Sequence, residues 1–362
     1  MSQLIEVLID DLSRGGAGIG HLESGKVIFV PLTAPGDRIV ARIVDDSERY
    51  CRGELVSMVE KSPIRIDPVC PVFGKCGGCD WQHLPYTFQW KKKIEGLGHA
   101  LKRAQIQLSN VQEFPAKNQW NYRNRIQLRG TKEHLGFLKR ASAEIVPIDS
   151  CAISDNRINQ ELSRIRQEGA KLAQPYKVEI AVTSAGNVDV AWNSKHAAFG
   201  FRQINDEANA TLQNYVASQL SDGDILLDLY GGVGNLSEQM WSKFKTVHVV
   251  DFGAKHEDLK NVFFHPYDTL KWIQSFKIPS SSVVSAAIID PPRIGLFKDF
   301  SHFQKAFDRL NVEKIVHVGC DPDAFARDLS HWLKAGWKLV DMAAVDLFPQ
   351  TVHVESIAVL AR

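Results

Sequence analysis

Apolar and polar positions alternate with a period of two in four short runs near the start of the chain. They are residues 3–9 (QLIEVLI), 26–30 (KVIFV), 38–44 (RIVARIV) and 53–56 (GELV). Such alternation sets one side of each run on a core and the other on water, as in a half-buried β-strand. Turn residues separate the runs at Arg14-Gly15-Gly16-Ala17-Gly18 and Ala34-Pro35-Gly36-Asp37. Short strands so spaced predict a small β-barrel of the oligonucleotide-binding type over residues 1–58. Residues 59–200 are mixed. Pro63, Pro68 and Pro71 mark an irregular linker, a basic helix is predicted near 87–104, and strand-like stretches follow at 124–129, 135–138, 178–182 and 188–192. From 201 to 362 strand and helix patterns alternate. Apolar 224–229 leads into a glycine turn and a predicted helix at 236–244. Strands follow at 246–250, 283–289 and 314–318, then a helix at 323–333 and strands at 338–342 and 356–360. The fold class expected is α/β. A doubly wound domain follows a barrel and a mixed α+β central region, and its ligands should lie at the carboxyl ends of the strands.

Composition adds limits. The 362 residues are 44% hydrophobic and 23% charged, as in a globular protein with a sizeable core. No apolar run approaches the roughly 18 residues of a membrane helix. The opening MSQLIEVLIDDLSRGG has acidic residues where a signal peptide carries a basic start and an apolar stretch. A cytoplasmic monomer with reduced thiols and no membrane partner is expected. The net charge of +1 conceals a local excess. Between Tyr86 and Arg140 twelve Lys or Arg face three acidic residues, Glu95, Glu113 and Glu133. Trp90, Trp120, Tyr122 and Phe137 lie among them. Basic residues interleaved with aromatics fit RNA contact, and a solvated surface is the alternative.

Three cysteines cluster in CPVFGKCGGCDWQH: Cys70, Cys76 and Cys79. In a reducing compartment close thiols of this kind hold metal more often than disulfides. Cys151, in PIDSCAI, is the candidate fourth ligand. Four thiolates suit zinc or an iron–sulfur cluster, and spacing alone leans to zinc.

In the last region, Asp228-Leu229-Tyr230-Gly231-Gly232-Val233-Gly234-Asn235 follows a strand. Its glycines allow a ligand to approach the backbone. A nicotinamide-dinucleotide turn reads GxGxxG, and Ser237 stands where its third glycine would be, which favours S-adenosylmethionine. Asp251, ending the next strand, is placed to accept from a ribose. Asp290-Pro291-Pro292-Arg293 closes another buried strand with a rigid turn that lacks amide donors at its prolines. Cys320 lies between a strand and a helix, where the helix dipole is expected to lower its pKa.

These motifs together resemble the bacterial RNA 5-methyluridine methyltransferases that act on 23S rRNA. The barrel resembles the TRAM domain of RNA-modifying enzymes. CxxxxxCGGC followed by WQH, with a later lone cysteine, is similar to that family's 4Fe–4S site, so the resemblance implies iron–sulfur where spacing leaned to zinc. DPPR and VGCDPDAFARDL resemble its cofactor-side and nucleophile motifs, and Phe201-Arg202-Gln203-Ile204-Asn205 its FxQxN segment. By that match Gln203, Tyr230, Gly232, Asn235, Asp251, Asp268 and Asp290 become S-adenosylmethionine contacts. Cys320 becomes the nucleophile, and Glu355, in Thr351-Val352-His353-Val354-Glu355, becomes the base. Arg123, Arg125 and Arg293 are the expected RNA contacts, with 23S rRNA as the partner and tRNA as runner-up. A non-catalytic RNA-binding protein would lack the need for both Cys320 and Glu355, and the incomplete glycine pattern disfavours an NAD-dependent dehydrogenase.

The chain departs from the family at several points. Residues 251–261 are shorter than a segment that holds a full helix beside the adenosine pocket in the family. Asp251 stands where Glu is usual, and Gly232 replaces a common cysteine. Gly319 and Asp321 replace serine and asparagine beside the nucleophile, and Asp321 is expected to raise the pKa of Cys320 by like-charge repulsion.

Overall fold

The computed structural model describes residues 3–107, 110–195, 198–200, 202–254, 259–279 and 282–362. Phe201 of the FxQxN-like segment and residues 255–258 of the shortened stretch lie outside the described residues. The chain divides into two units. The first takes in Met1–Lys93, Asn118–Ala198 and Phe348–Val352; the second takes in Ile94–Lys117, Phe199–Leu347 and His353–Arg362.

The first unit opens with a closed five-stranded barrel of Leu4–Leu12, Gly18–His21, Val27–Val30, Arg38–Asp46 and Tyr50–Glu60. Alternate residues of these strands, Val7, Ile9, Ile28, Val30, Ile39 and Ala41, fill its core together with Cys51. The strand Gly18–His21 is absent from the apolar pattern because glycines stand where side chains would collide. A Cβ on Gly18 would lie 2.0 Å from Thr33 Oγ1, and one on Gly20 2.7 Å from the Leu8 carbonyl. The rest of the unit holds a second sheet, ordered Val188–Trp192, Tyr176–Val182, Arg125–Gly130, Leu135–Leu138 and Ile145–Pro147. Helix Asn156–Gly169 covers one face, burying Ile158, Leu162 and Ile165 against Ile126, Leu128, Val178 and Ile180. Asp155 caps this helix by accepting from the Arg157 amide.

The second unit is built on an eight-stranded sheet. Its order is Val262–Pro266, Phe244–Asp251, Gly223–Leu229, Val284–Ile289, Lys314–Gly319, Glu355–Ala361, Lys338–Val345 and Gln112–Phe114. The first five strands run parallel, and Glu355–Ala361 is inserted antiparallel beside Lys314–Gly319. Near-continuous burial along Ala286–Ile289 and Ile357–Leu360 reflects helices on both faces. Strand order reverses between Gly223–Leu229 and Val284–Ile289, and the crevice at such a switch point is where ligands bind.

One predicted element is corrected. The helix expected at 236–244 is a set of turns with a single 3-10 turn, Glu238–Met240. Strand Phe244–Asp251 begins too soon after the glycine turn for a longer helix, and Trp241 folds back so that its ring lies 2.7 Å from where a Gly234 Cβ would be. Among the described residues no helix is long and apolar enough to cross a membrane.

Candidate active site

Strand register assembles the site. Lys314–Gly319 and Glu355–Ala361 pair antiparallel with Gly319 opposite Ser356. One step further along the same register sets Cys320 opposite Glu355. On the other side, Val284–Ile289 pairs with Gly223–Leu229 so that Leu229 faces Ile289, and the Asp290 amide donates to the Leu229 carbonyl. Leu229 also faces Val250, the residue before Asp251. Asp251, Tyr230, Asp290, Cys320 and Glu355 therefore lie along one edge, the carboxyl ends of the parallel strands.

The glycine turn is shaped by its neighbours. Tyr230 has φ +62°, a conformation that a side chain adopts at a cost of order 1–3 kcal/mol. Gly232 and Gly234 also have positive φ. Gly231 is required because a Cβ there would stand 2.6 to 2.8 Å from the Asp228 carboxylate. Asp228 is fully buried and accepts from Ser237 Oγ at 2.6 Å. Ser237, which breaks the dinucleotide pattern, is thus the donor to a buried acid. Burial, and secondarily the charge of Asp251, push the Asp228 carboxyl up to about 6.

The expected cofactor residues differ in how free they are. Gln203 is buried. Asn235 exchanges side-chain hydrogen bonds of 2.9 Å with Asn209 and is also held by Gln213. Asp251 accepts from the Gly253 amide at 2.7 Å, and Asp268 caps helix Thr269–Ser275 through the Lys271 amide. Asp290 is pushed up to about 7, first by burial and then by Asp228 and Asp251.

At the reacting end, Glu355 is 4% exposed. Burial raises its carboxyl to about 8, Asp290 adds to the rise, and Arg293 opposes it. The half-buried Cys320 thiol is pushed up to about 12 by burial and by the Glu355 charge, again against Arg293. The lowered thiol pKa expected from the helix dipole is therefore overturned. Asp321 occupies the helix N-terminus itself, its Oδ1 accepting from the Asp323 and Ala324 amides at 3.1 and 3.0 Å. Those donors serve the cap rather than the thiolate. Arg293, on the exposed turn, donates to His353 Nε2 at 3.3 Å.

Arg327 and Asp328 do work the sequence reading left unassigned. Asp328, fully buried, accepts from the Leu296 amide at 2.6 Å, and Arg327 donates to the Ile294 carbonyl. Gly295 has φ +69°, and a Cβ there would lie 2.2 Å from Asp328 Oδ2. The turn after Asp290 is latched to the helix that follows Cys320. The ARDL tetrad inside the nucleophile motif was the available signal.

In the first unit, Cys70, Cys76, Cys79 and Cys151 are half-buried and unpaired by disulfides. Burial pushes the Cys70, Cys76 and Cys79 thiols up, Cys79 to about 12, and Cys151 adds to each rise. The Gly78 amide donates to Cys76 Sγ, and Asn159 fixes the Cys151 backbone on both sides. Among the described residues no group of three or more His, Cys, Asp or Glu is gathered tightly enough to share a metal ion. Of the expected RNA contacts, Arg125 is 3.4 Å from the buried Glu179, and Arg123 Nε donates to the Arg125 carbonyl.

The sheet order and the glycine turn at the switch point are those of an S-adenosylmethionine-dependent methyltransferase fold, preceded by a five-stranded barrel. A solved structure of Pyrococcus abyssi tRNA (uracil-54, C5)-methyltransferase in complex with S-adenosyl-L-homocysteine superimposes with a TM-score of 0.75 at 22% identity. It covers 98% of this chain and 99% of that one. Residues 2–56 match the TRAM domain family, and residues 268–362 match the tRNA (Uracil-5-)-methyltransferase family. An uncharacterized RNA methyltransferase of Bdellovibrio bacteriovorus is 28% identical over 98% of this chain and 94% of its own length. The 23S rRNA (uracil(1939)-C(5))-methyltransferase RlmD of Shewanella woodyi is 28% identical over 99% of this chain and 96% of its own. The chain thus carries an N-terminal TRAM domain and a C-terminal uracil-5-methyltransferase domain, and it is similar over nearly its whole length to RNA methyltransferases that include 23S rRNA uracil-5-methyltransferases.

Proposed function

We propose that this enzyme transfers a methyl group from S-adenosylmethionine to carbon 5 of a uridine in 23S rRNA. The observation that carries the reading is that Cys320 directly follows Gly319, whose strand partner Ser356 directly follows the buried Glu355, and that the Glu355 charge acts on the Cys320 thiol. S-adenosylmethionine supplies the methyl group and a positive charge on its sulfonium. Gln203, Tyr230, Gly232, Asn235, Asp251, Asp268 and Asp290 would hold it, with Asp290 close enough to Cys320 and Glu355 to act on their ionisation.

Carbon 5 of uracil is a poor nucleophile. The Cys320 sulfur gives its proton to solvent water and adds to carbon 6, and the electron pair displaced from the ring double bond makes carbon 5 nucleophilic. After methylation the Glu355 carboxylate takes the carbon 5 proton, the double bond re-forms and the sulfur leaves. A carboxyl raised to about 8 is a strong enough base for this and still ionises near neutrality. The uridine must leave its stack to reach Cys320. The barrel of residues 1–58 and the central region of residues 59–200 bind the RNA, with Arg123 and Arg125, while Arg293 meets it within residues 201–362.

Cys70, Cys76, Cys79 and Cys151 hold a 4Fe–4S cluster in this reading. What supports the reading is that Cys70, Cys76 and Cys79 each feel the charge of Cys151, so the four thiols share one neighbourhood. The cluster's contribution here is structural, and no step of the reaction passes through it.

Incubation with 23S rRNA lacking the modification and labelled S-adenosylmethionine tests the reading. It should place one 5-methyluridine, and Cys320→Ala should place none. Label on tRNA alone would move the substrate assignment, and full activity of Cys320→Ala would remove the mechanism.

A further inference from the structure

Beyond residue 198 the first unit takes in one more stretch, Phe348–Val352. This stretch joins strand Lys338–Val345 to strand Glu355–Ala361, whose first residue is the proposed base. Links between neighbouring strands usually run over the surface, with water satisfying their backbone groups. This one is gripped. Gln89 makes a reciprocal pair with Gln350: its Oε1 accepts the Gln350 amide at 3.1 Å and its Nε2 donates to the Gln350 side chain at 3.0 Å. Gln89 and Gln350 are 1% and 2% exposed. The Gln350 carbonyl accepts from the Asp80 and Trp81 amides at 2.9 and 3.1 Å. The Asp80 carboxylate accepts from the Val352 amide at 3.3 Å.

The grip holds the backbone in a costly shape, because Gln350 has φ +70°. Such a conformation persists only where its surroundings over-determine it. Gln89 Nε2 reaches the Trp81 and Leu84 carbonyls as well, so the clamp is tied to its own support. Glu355 follows Val352 by three residues, and Asp80 directly follows Cys79. A general base must be placed to a fraction of an ångström, and displacement of a supporting segment costs rate at the step that uses the base.

We propose that Gln89, with Asp80, is a positioning residue for methyl transfer: by clamping Phe348–Val352 it sets the place of the Glu355 carboxylate for product release. The inference rests on Glu355 being the base that frees the methylated RNA. Loosening the clamp should therefore slow proton removal and leave the earlier addition and methylation steps largely intact.

The test is single-turnover reaction of the full chain with RNA and labelled S-adenosylmethionine, following label in free RNA and in the covalent protein–RNA adduct on denaturing gels. For Gln89→Leu, adduct formation should stay within about threefold of the unaltered protein, while release slows by about tenfold or more, the scale of one lost buried hydrogen bond. Gln89→Asn, which keeps both an amide acceptor and an amide donor on a shorter side chain, should recover part of the release rate. Asp80→Ala, at a less buried position, removes the acceptor for the Val352 amide and gives the same reading should Gln89→Leu fail to fold. Equal slowing of adduct formation and release, or unchanged release in a folded variant, overturns the proposal. Glu355→Gln is the control. If it traps no adduct, the base assignment fails and the proposal with it; if it does while the clamp variants do not, only the clamp fails.

Discussion

Replacing Glu355 by Gln should stabilise the protein, and the gain should depend on pH in a stated direction. The carboxyl is 4% exposed and its pKa is raised from an ordinary 4.5 to about 8. A group whose folded pKa is raised contributes fully to stability below its unfolded value. That contribution is lost as pH climbs, until the folded pKa is passed. At about 1.4 kcal/mol per pH unit, the loss between 4.5 and neutrality has a ceiling of about 3 kcal/mol, growing to about 5 kcal/mol above pH 8. Asp290 beside it shares the titration, so the realised gain should be smaller. Gln has the same shape and no charge to desolvate. Thermal melts at pH 4.5, 6, 7 and 8.5 should show the variant and the unaltered protein close together in acid. The variant should melt progressively higher as pH rises. Equal melting at all four values, or a variant less stable at pH 8.5, would refute the claim that burial governs this carboxyl.

Other outcomes follow from the same edge. Cys320, with its thiol pushed up to about 12, should react with iodoacetamide far more slowly at pH 7.5 than an ordinary exposed thiol, and Arg293→Ala should slow it further because a stabilising cation is lost. Rapid alkylation at neutrality would show that the thiol is not held neutral. Asp321→Ala should cost about 1 kcal/mol in stability through loss of the helix cap, read from urea melts, with the helix otherwise retained. Gly295→Ala should lose activity and destabilise by more than 1 kcal/mol, since it forces a side chain into positive φ and against Asp328. The release step should speed up as pH rises toward about 8, because the Glu355 carboxylate and not its acid takes the proton.

Much of this arrangement was legible in the residue pattern. Period-two alternation marked most of the barrel, and apolar runs ending on Asp251 and Asp290 marked the strand ends that line the site. The strand Gly18–His21 was hidden, because close packing against Thr33 and Leu8 selects glycine, and glycine reads as a turn. The 3-10 turn after the glycine loop was also hidden. Its sequence has the composition of a helix, and what shortens it is the position of the next strand. The charge state of Cys320 was misread for a related reason. A thiol before a helix suggests dipole stabilisation, but burial and the charge of Glu355 push it the other way, and neither is a property of local sequence. The clamp on Phe348–Val352 joins Gln89 and Gln350, 261 positions apart, so no local signal announces it.

The central claim is that Cys320 adds to the RNA and Glu355 releases it. Mass spectrometry of nuclease-treated Glu355→Gln protein, after incubation with RNA and S-adenosylmethionine, tests it most directly. A peptide containing Cys320 should carry a methylated uridine nucleotide. An unmodified Cys320 peptide, or a nucleotide on another residue, would contradict it.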